Sequence, residues 1–243
     1  METRLEGKFL ELYREIKSLA ESIRDERVRA ITLELLDNPV ITFTSVEPLI
    51  KFYESPAAPH KHHSYPGGLL EHTLSVALLS IEIARAREKV YGVRVDRDYV
   101  VAASILHDIF KYYQYRYDSI VEGFRIRTDW FLAHDYAVVA ELARRGAPDK
   151  LIRILAETHG NSPFTTVESI IVHDADSIDA SYASNLQDIV WSVCRDIEIE
   201  KKIPALKVFN RILWVKRLGE LVEIYFTKGR DYLREYIIEV LGL

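Results

Sequence analysis

The sequence has a single cysteine, Cys194, so no disulfide can close within the chain and no soft thiolate cluster can be built. It also lacks an uninterrupted run of about 18 apolar residues. Its most apolar stretch, residues 69–81, is interrupted by Glu71 and His72 and followed by Glu82. A membrane span is therefore not expected. The opening residues METRLEGKFLELYREI have no signal-peptide core, and a cytoplasmic location is the expectation. Positive charge is short too. A net charge of −5 and a pI near 5.9 argue against a protein that coats nucleic acid, where affinity comes from Lys and Arg neutralising phosphates. With ten glycines and eight prolines there is no disorder-prone tract, no linker and no repeat. What is present is a chain of 243 residues, 48% hydrophobic, long enough for one large domain over residues 1–243.

Apolar residues recur at helical spacing nearly everywhere. Phe9, Leu12, Ile16, Leu19 and Ile23 do so early, and Ile212, Val215, Leu218, Leu221 and Val222 late. The pattern predicts an all-α bundle of about eight or nine helices. Breaks fall at Asn38-Pro39, in the Pro-rich segment Glu54 to Gly68, at Tyr91-Gly92, at Gly146-Ala147-Pro148, from His159 to Thr166, and at Lys228-Gly229. The aromatic, β-branched segment from Lys111 to Trp130, with Glu122-Gly123 at its centre, is the one strand candidate, a short hairpin. The strip Trp191, Ile212, Trp214, Leu221, Tyr225 and Phe226 reads as core or subunit interface.

Several polar residues occupy positions that belong to a core. His72 follows Leu69 by three residues and continues into Val76, Leu79 and Ile83, the apolar stripe of its helix. His107 lies four residues after Ala103, with Asp108 about 100° further round the helix. His159 follows Leu155 by four residues, and His134 follows Trp130 by four. One inward histidine is ordinarily a core residue bonded to a carbonyl. Four of them are different, since each unsatisfied buried polar group costs about 1–3 kcal/mol. A divalent metal offsets that cost by accepting neutral imidazole and carboxylate together. The acidic candidates on the later helix are Asp176 and Asp179, which share a face with Ala180 and Ala183, and Asp174, which lies opposite with Ile171, Ala175 and Ile178. Periodicity alone leaves both faces open.

The blocks SPAAPHKHHSYPGGLLEHT, SILHDIFK, LAHDYAVVAELARRG, ETHGNSP and HDADSIDA occur in this order. So read, the chain resembles the HD superfamily of metal-dependent phosphohydrolases, above all the HD domain of the YhaM-type 3′→5′ exoribonucleases and single-domain HD phosphodiesterases. The resemblance covers residues 55–184 and leaves residues 1–54 and 185–243 as helical flanks. It implies one metal held by His72, His107, Asp108 and Asp176, the last being the aspartate of Ala175-Asp176. It implies a second ion held by His134 and His159, with Asp108 bridging. The cofactor would be one or two divalent transition ions from among Fe, Mn, Co, Ni and Zn, supplying a bridging hydroxide for in-line attack on phosphorus.

The usual HD-[IL]-G-K motif appears as His107-Asp108-Ile109-Phe110-Lys111, with Phe where Gly is common. Lys111 is a candidate for catalysis and for phosphate binding, and Asp108 for catalysis as well as ligation. His63, of the His62-His63 pair, is a candidate general acid. Arg116, Arg125 and Arg127 are candidates for substrate binding at the rim. Tyr112, Tyr113, Tyr115 and Tyr117 offer a stacking wall for a base or pterin. His60 and His173 read as structural.

The leading function is a phosphodiesterase acting on a nucleotide-like or cyclic-phosphate small molecule. Similar single-domain proteins open the 2′,3′-cyclic phosphate of dihydroneopterin. The alternatives are a 3′→5′ exoribonuclease on short RNA, disfavoured by the charge and by the lack of an oligonucleotide-binding barrel, a di-iron oxygenase, and a non-catalytic regulator, whose expected loss of ligands is not seen. Oligomerisation is left open.

Overall fold

A computed structural model describes residues 6–58 and 61–243. Helix α1 (Gly7–Glu21) buries Leu12, Tyr13, Ile16 and Ala20 on one stripe. It gives way to α2 (Glu26–Asp37) at Asp25, whose carboxylate accepts the N–H groups of Arg27 and Val28 at 2.9 and 3.0 Å. An N-cap of this kind starts a helix without any Gly or Pro nearby, so this break has only a weak sequence signal.

An irregular segment then leads to α3 (Gly68–Tyr91), bounded by Gly67 and Gly92 in the left-handed conformation. At Gly68 a Cβ would stand 2.1 Å from the His63 carbonyl oxygen, so only glycine lets the preceding loop fold back onto the helix start. Helix α4 (Arg97–Leu106) ends one residue short of the His-Asp pair. The expectation that Asp108 sits one step further round that helix is corrected by this ending. Residues 107–110 form hydrogen-bonded turns, with Ile109 N–H on the Leu106 carbonyl and Lys111 N–H on that of Asp108, leading into a short 3-10 helix, Lys111–Gln114. Phe110 replaces the common glycine without strain, at φ −103°, and its ring is fully buried.

The hairpin forms from β1 (Tyr115–Asp118) and β2 (Gly123–Ile126), antiparallel, with Tyr115 opposite Ile126. Helices α5 (His134–Arg144), α6 (Asp149–Thr158), α7 (Val167–Lys201), α8 (Ala205–Val215), α9 (Leu218–Lys228) and α10 (Arg230–Leu241) follow. Among the described residues this is ten α-helices and one two-stranded sheet, an all-α fold with a single hairpin. None of these helices is long and apolar enough to cross a membrane.

Two apolar clusters organise the packing. The first joins α1 to α6 and the N-terminal half of α7, through residues such as Leu12, Leu35, Leu69, Ala103, Leu106, Leu155 and Ala175. The second joins the C-terminal half of α7 to α8, α9 and α10 through Val190, Cys194, Ile197, Phe209, Ile212, Leu221 and Ile237. Of the aromatic strip expected to be core or interface, Ile212 and Leu221 are core, Trp214 packs against the first cluster, and Phe226 is exposed.

Candidate metal centre

Helix α3 turns His72 inward where its stripe needs an apolar side chain, and the residue is completely buried. Across from it, the turn after α4 delivers His107 and Asp108, also buried, and α7 contributes Asp176. Around His72 Nε2 lie Asp108 Oδ2 at 3.2 Å, Asp176 Oδ1 at 3.2 Å and His107 Nε2 at 3.2 Å. The other oxygen of Asp108 faces a different pair of rings. His134, the first residue of α5, places Nε2 3.1 Å from Asp108 Oδ1, and His159, just past α6, places Nε2 3.7 Å from the same atom. His159 Nδ1 is 3.7 Å from Asp176 Oδ2. Asp108 thus presents one oxygen to each of two histidine groups, and the six residues expected to gather do gather.

Four of these atoms are left without a hydrogen bond. Asp108 Oδ1, His134 Nε2 and His159 Nε2 are shielded from water yet make no hydrogen bond of acceptable direction. Asp108 Oδ2 has none either, although the Lys111 ammonium lies 2.5 Å away as an ion pair. Orphaned acceptors and ring nitrogens converging from the turn after α4, from α5 and from the end of α6 fit one or two divalent cations, and His72, His107 and Asp108 on one side and Asp108, His134 and His159 on the other are each compact enough to hold an ion.

Electrostatics match this reading. Burial opposes charge on Asp108, but His107, Lys111 and His134 outweigh it and hold the carboxyl well below its usual range. Asp176 is likewise held well below its usual range, against its burial, by His72 and His107. Burial would lower His72, yet Asp108, Asp176 and Asp179 together hold it well above an ordinary imidazole. His107, His134 and His159 are pushed down, chiefly by burial, and so stay neutral. In the metal-free chain a proton on His72 does for the carboxylates what a cation would do.

Local structure fixes each ring. His107 Nδ1 donates to the Ser104 carbonyl at 2.8 Å, and His72 Nδ1 donates to Asp179 Oδ2 at 2.6 Å. Gln114 Nε2 is 3.3 Å from His134 Nδ1. The loop after His159 is pinned by buried Glu157, which accepts the Thr165 N–H at 3.0 Å and the Ser169 hydroxyl at 2.6 Å. His173 donates to the Thr158 carbonyl at 2.8 Å and braces the end of α6, the structural role expected of it. His60 lies outside the described residues.

Other expectations are redistributed. Lys111 is in the centre, against Asp108. His63 is buried and turned toward Asp179, with Nδ1 3.6 Å from Oδ2, at the floor of an outer cleft of about 490 Å³. Among the described residues it is also one of three non-glycine residues at positive φ, at 47°. Its neighbour His62 is the ring that shares the surroundings of Asp108, Asp176 and Lys111, and burial lowers it to about 4. Both rings adjoin His72, with centroids 5.0 and 5.4 Å away.

The three arginines do not reach the cluster. Arg127 is buried and committed to Asp129 at 2.8 and 2.7 Å and to the Glu47 carbonyl at 2.7 Å. Arg125 pairs with Asp118 at 2.8 Å across the hairpin, and Arg116 is exposed opposite it. Nor do the four tyrosines make one stacking wall. The Tyr112 and Tyr115 hydroxyls donate to the Pro39 and Ala57 carbonyls at 2.5 and 3.2 Å, and Tyr113 accepts the Ile41 N–H at 3.2 Å. Tyr112 and Tyr117 instead line a separate cleft of about 1100 Å³ with Phe52, Tyr53, Phe124 and Trp214. Asp174 turns outward toward Arg87, 3.7 Å away.

The model of the HD domain family matches residues 69–181, which contain all six converging residues. A dihydroneopterin 2′,3′-cyclic phosphate phosphodiesterase from Methanocaldococcus jannaschii is 39% identical over 224 residues, covering 86% of either chain. A 3′-5′ exoribonuclease YhaM from a Geobacillus species is 26% identical over 190 residues, which span 70% of this chain and 56% of that protein. No solved structure matches significantly.

Proposed function

Because the chain belongs to the HD superfamily of metal-dependent phosphohydrolases, we propose that it is a phosphodiesterase that opens 2′,3′-cyclic phosphates of small, nucleotide-like or pterin-like molecules with a two-ion centre. The observation that carries this reading is Asp108 with one oxygen toward His72 and His107 and the other toward His134 and His159. The ligands are then His72, His107, Asp108 and Asp176 for one ion, and Asp108, His134 and His159 for the other, drawn from Fe, Mn, Co, Ni or Zn. Imidazole and carboxylate donors suit those metals better than the all-oxygen shells of Ca²⁺ or Mg²⁺. When bound, two such ions supply a water of lowered pKa and neutralise phosphate charge.

The chain's own groups do the rest. Lys111, freed from Asp108 once that carboxylate is neutralised, holds a phosphate oxygen as a point charge. His62, at the inner wall beside Lys111 and Asp108, borders the reacting phosphate, and His63 braces from behind. The solvent-facing edge is formed by His134, His159 and Asp176, whose side chains keep 20%, 17% and 21% of their exposure, so substrate reaches the centre from that side. Residues 55–184 form the catalytic core, with residues 1–54 and 185–243 as flanks.

Hydrolysis breaks one P–O bond of the cyclic diester, adds the water oxygen to phosphorus and leaves the second ester linkage intact, so the product is a monoester. Metal-loaded protein assayed against a panel of 2′,3′-cyclic phosphates, a chromogenic diester and end-labelled single-stranded RNA should turn over the cyclic phosphates fastest. A ladder from the RNA with no cyclic-phosphate turnover would favour exonucleolytic activity instead. Inactivity on every phosphoester would refute the assignment.

A further inference from the structure

We propose that Asp179, which is not among the metal ligands, is a positioning residue that commits His72 to ligation through Nε2 and thereby sets the affinity of the buried half of the centre. The inference rests on the two-ion reading above. A neutral imidazole carries one N–H and one lone pair, and the partner of the first nitrogen decides which role falls to the second. His72 is fully buried and cannot recruit water to make that choice. Its Nδ1 is 2.6 Å from Asp179 Oδ2, while its Nε2 faces Asp108, Asp176 and His107. With Nδ1–H donated to a carboxylate, the lone pair is left on Nε2, on the side of the metal.

The other rings have weaker supports. His107 is held by a backbone carbonyl at 2.8 Å, His134 by a side-chain amide at 3.3 Å, and the nearest group to His159 Nδ1 is Asp176 Oδ2 at 3.7 Å. His72 alone among them is braced by a carboxylate in hydrogen-bond contact. Asp179 is itself fixed. It is 3% exposed, and the Ser75 hydroxyl of α3 and the His63 ring, 3.6 Å away, also face it.

The arrangement follows from helix geometry. Asp176 and Asp179 are three residues apart on α7 and project from one face. A single turn of α7 therefore addresses both nitrogens of one ring on α3, with Asp176 on the metal side and Asp179 behind it. Removing such a carboxylate partner typically weakens metal affinity 10–100-fold.

The test is titration of metal-free protein with Mn²⁺ or Co²⁺, reading stoichiometry and affinity rather than turnover. Wild type should take up two ions. Asp179→Ala should weaken one site about 10–100-fold and leave the other unchanged. In a His134→Ala background, which retains only the buried site, the same weakening should appear on the single remaining ion. Asp179→Asn keeps an acceptor for Nδ1–H and should recover most of the loss, whereas Asp179→Leu, of similar volume but with no acceptor, should not, a contrast that a role in packing alone does not predict. Should the Ala variant fail to fold, the Asn and Leu variants in the His134→Ala background still decide, since affinity within about tenfold of the parent is required of Asn and a larger loss of Leu. Wild-type affinity at both sites in folded Asp179→Ala would overturn the positioning role, as would equal weakening of both sites. Failure of wild-type protein to bind any ion would instead overturn the metal-centre reading beneath it.

Discussion

The two halves of the centre share Asp108 and are linked through Asp176, which faces His72 with one oxygen and His159 with the other, but their histidines differ in burial and in bracing. His72 and His107 have no exposed side-chain surface and both have Nδ1 engaged at 2.8 Å or less, whereas His134 and His159 keep 20% and 17% of their surface and their outer nitrogens have only contacts of 3.3 and 3.7 Å. An ion in the first half would complete the protein core, because without it carboxylate and imidazole are buried facing one another. An ion in the second half would sit at the edge, where water and substrate arrive. The difference teaches that a dinuclear site can divide its labour by burial. On the two-ion proposal the dry half would hold and orient, and the open half would exchange and react.

The comparison is broken most completely by Asp108→Ala, which removes the shared ligand. Both ions should be lost and hydrolysis should fall on the order of 10³-fold or more, as checked by metal analysis and a diester assay. His107→Ala and His134→Ala should separate the halves. Both should cost roughly 10²–10³-fold in rate, but the first should also lower the thermal stability of the metal-loaded protein, while the second should leave one ion bound and stability little changed. Equal losses in metal content and melting temperature would show that the halves are equivalent.

Proton competition sharpens the contrast further. His72 is held above an ordinary imidazole in the metal-free chain, by the surrounding carboxylates against its burial, so an ion must displace its proton. Affinity of the buried half should therefore fall about tenfold for each unit of pH below that raised value and level off above it. His134 and His159, lowered mainly by burial, are already neutral, so the open half should be flat through neutral pH. The same proton contributes stability to the metal-free fold that is fully present below the unfolded pKa of about 6.5 and is lost as pH rises through the raised folded value. Metal titrations at several pH values, together with unfolding curves of metal-free protein, check both signs. The smallest effect belongs to Gln114→Ala, which removes the 3.3 Å contact on His134 Nδ1 and should weaken the outer ion only several-fold in competition with a chelator.

The helices and the six converging residues were legible because both signals are local. Apolar periodicity marked α3, α4, α6 and α7, and a histidine in an apolar stripe stands out against it. Gly67, Gly92 and Gly146 announced boundaries through their left-handed backbone. Asp25, which starts α2, and the basic step before α9 were not marked, since a capping aspartate or a Lys-Arg pair resembles ordinary surface, whereas the start of α8 does carry a breaker, Pro204. Asp179 was visible on the face of Asp176, but its partner was not. Only tertiary packing brings Ser75 and both nitrogens of His72 to α7. The hairpin arginines show a related limit of the sequence. Their charges suggested a phosphate, but Asp118, Asp129 and the Glu47 carbonyl satisfy Arg125 and Arg127 at home.

Helix α7, 35 residues long, carries Asp176 and Asp179 in its first half and Val190, Val193, Cys194 and Ile197 of the second apolar cluster in its last. Between them Gln187 accepts from the Ser64 N–H at 2.9 Å and its hydroxyl at 3.0 Å, and donates to the Lys61 carbonyl at 3.3 Å, which clamps the loop bearing His62 and His63. The helix therefore works as a shaft with three fittings cut at fixed angles. One residue inserted between Ala180 and Gln187 would turn everything beyond it by about 100° and advance it about 1.5 Å. The loop clamp would swing off the histidine pair and the C-terminal helices would lose their seat, although no side chain of the centre had been touched. Divergence in this chain is free to repaint the outside of the shaft but not to change its phase.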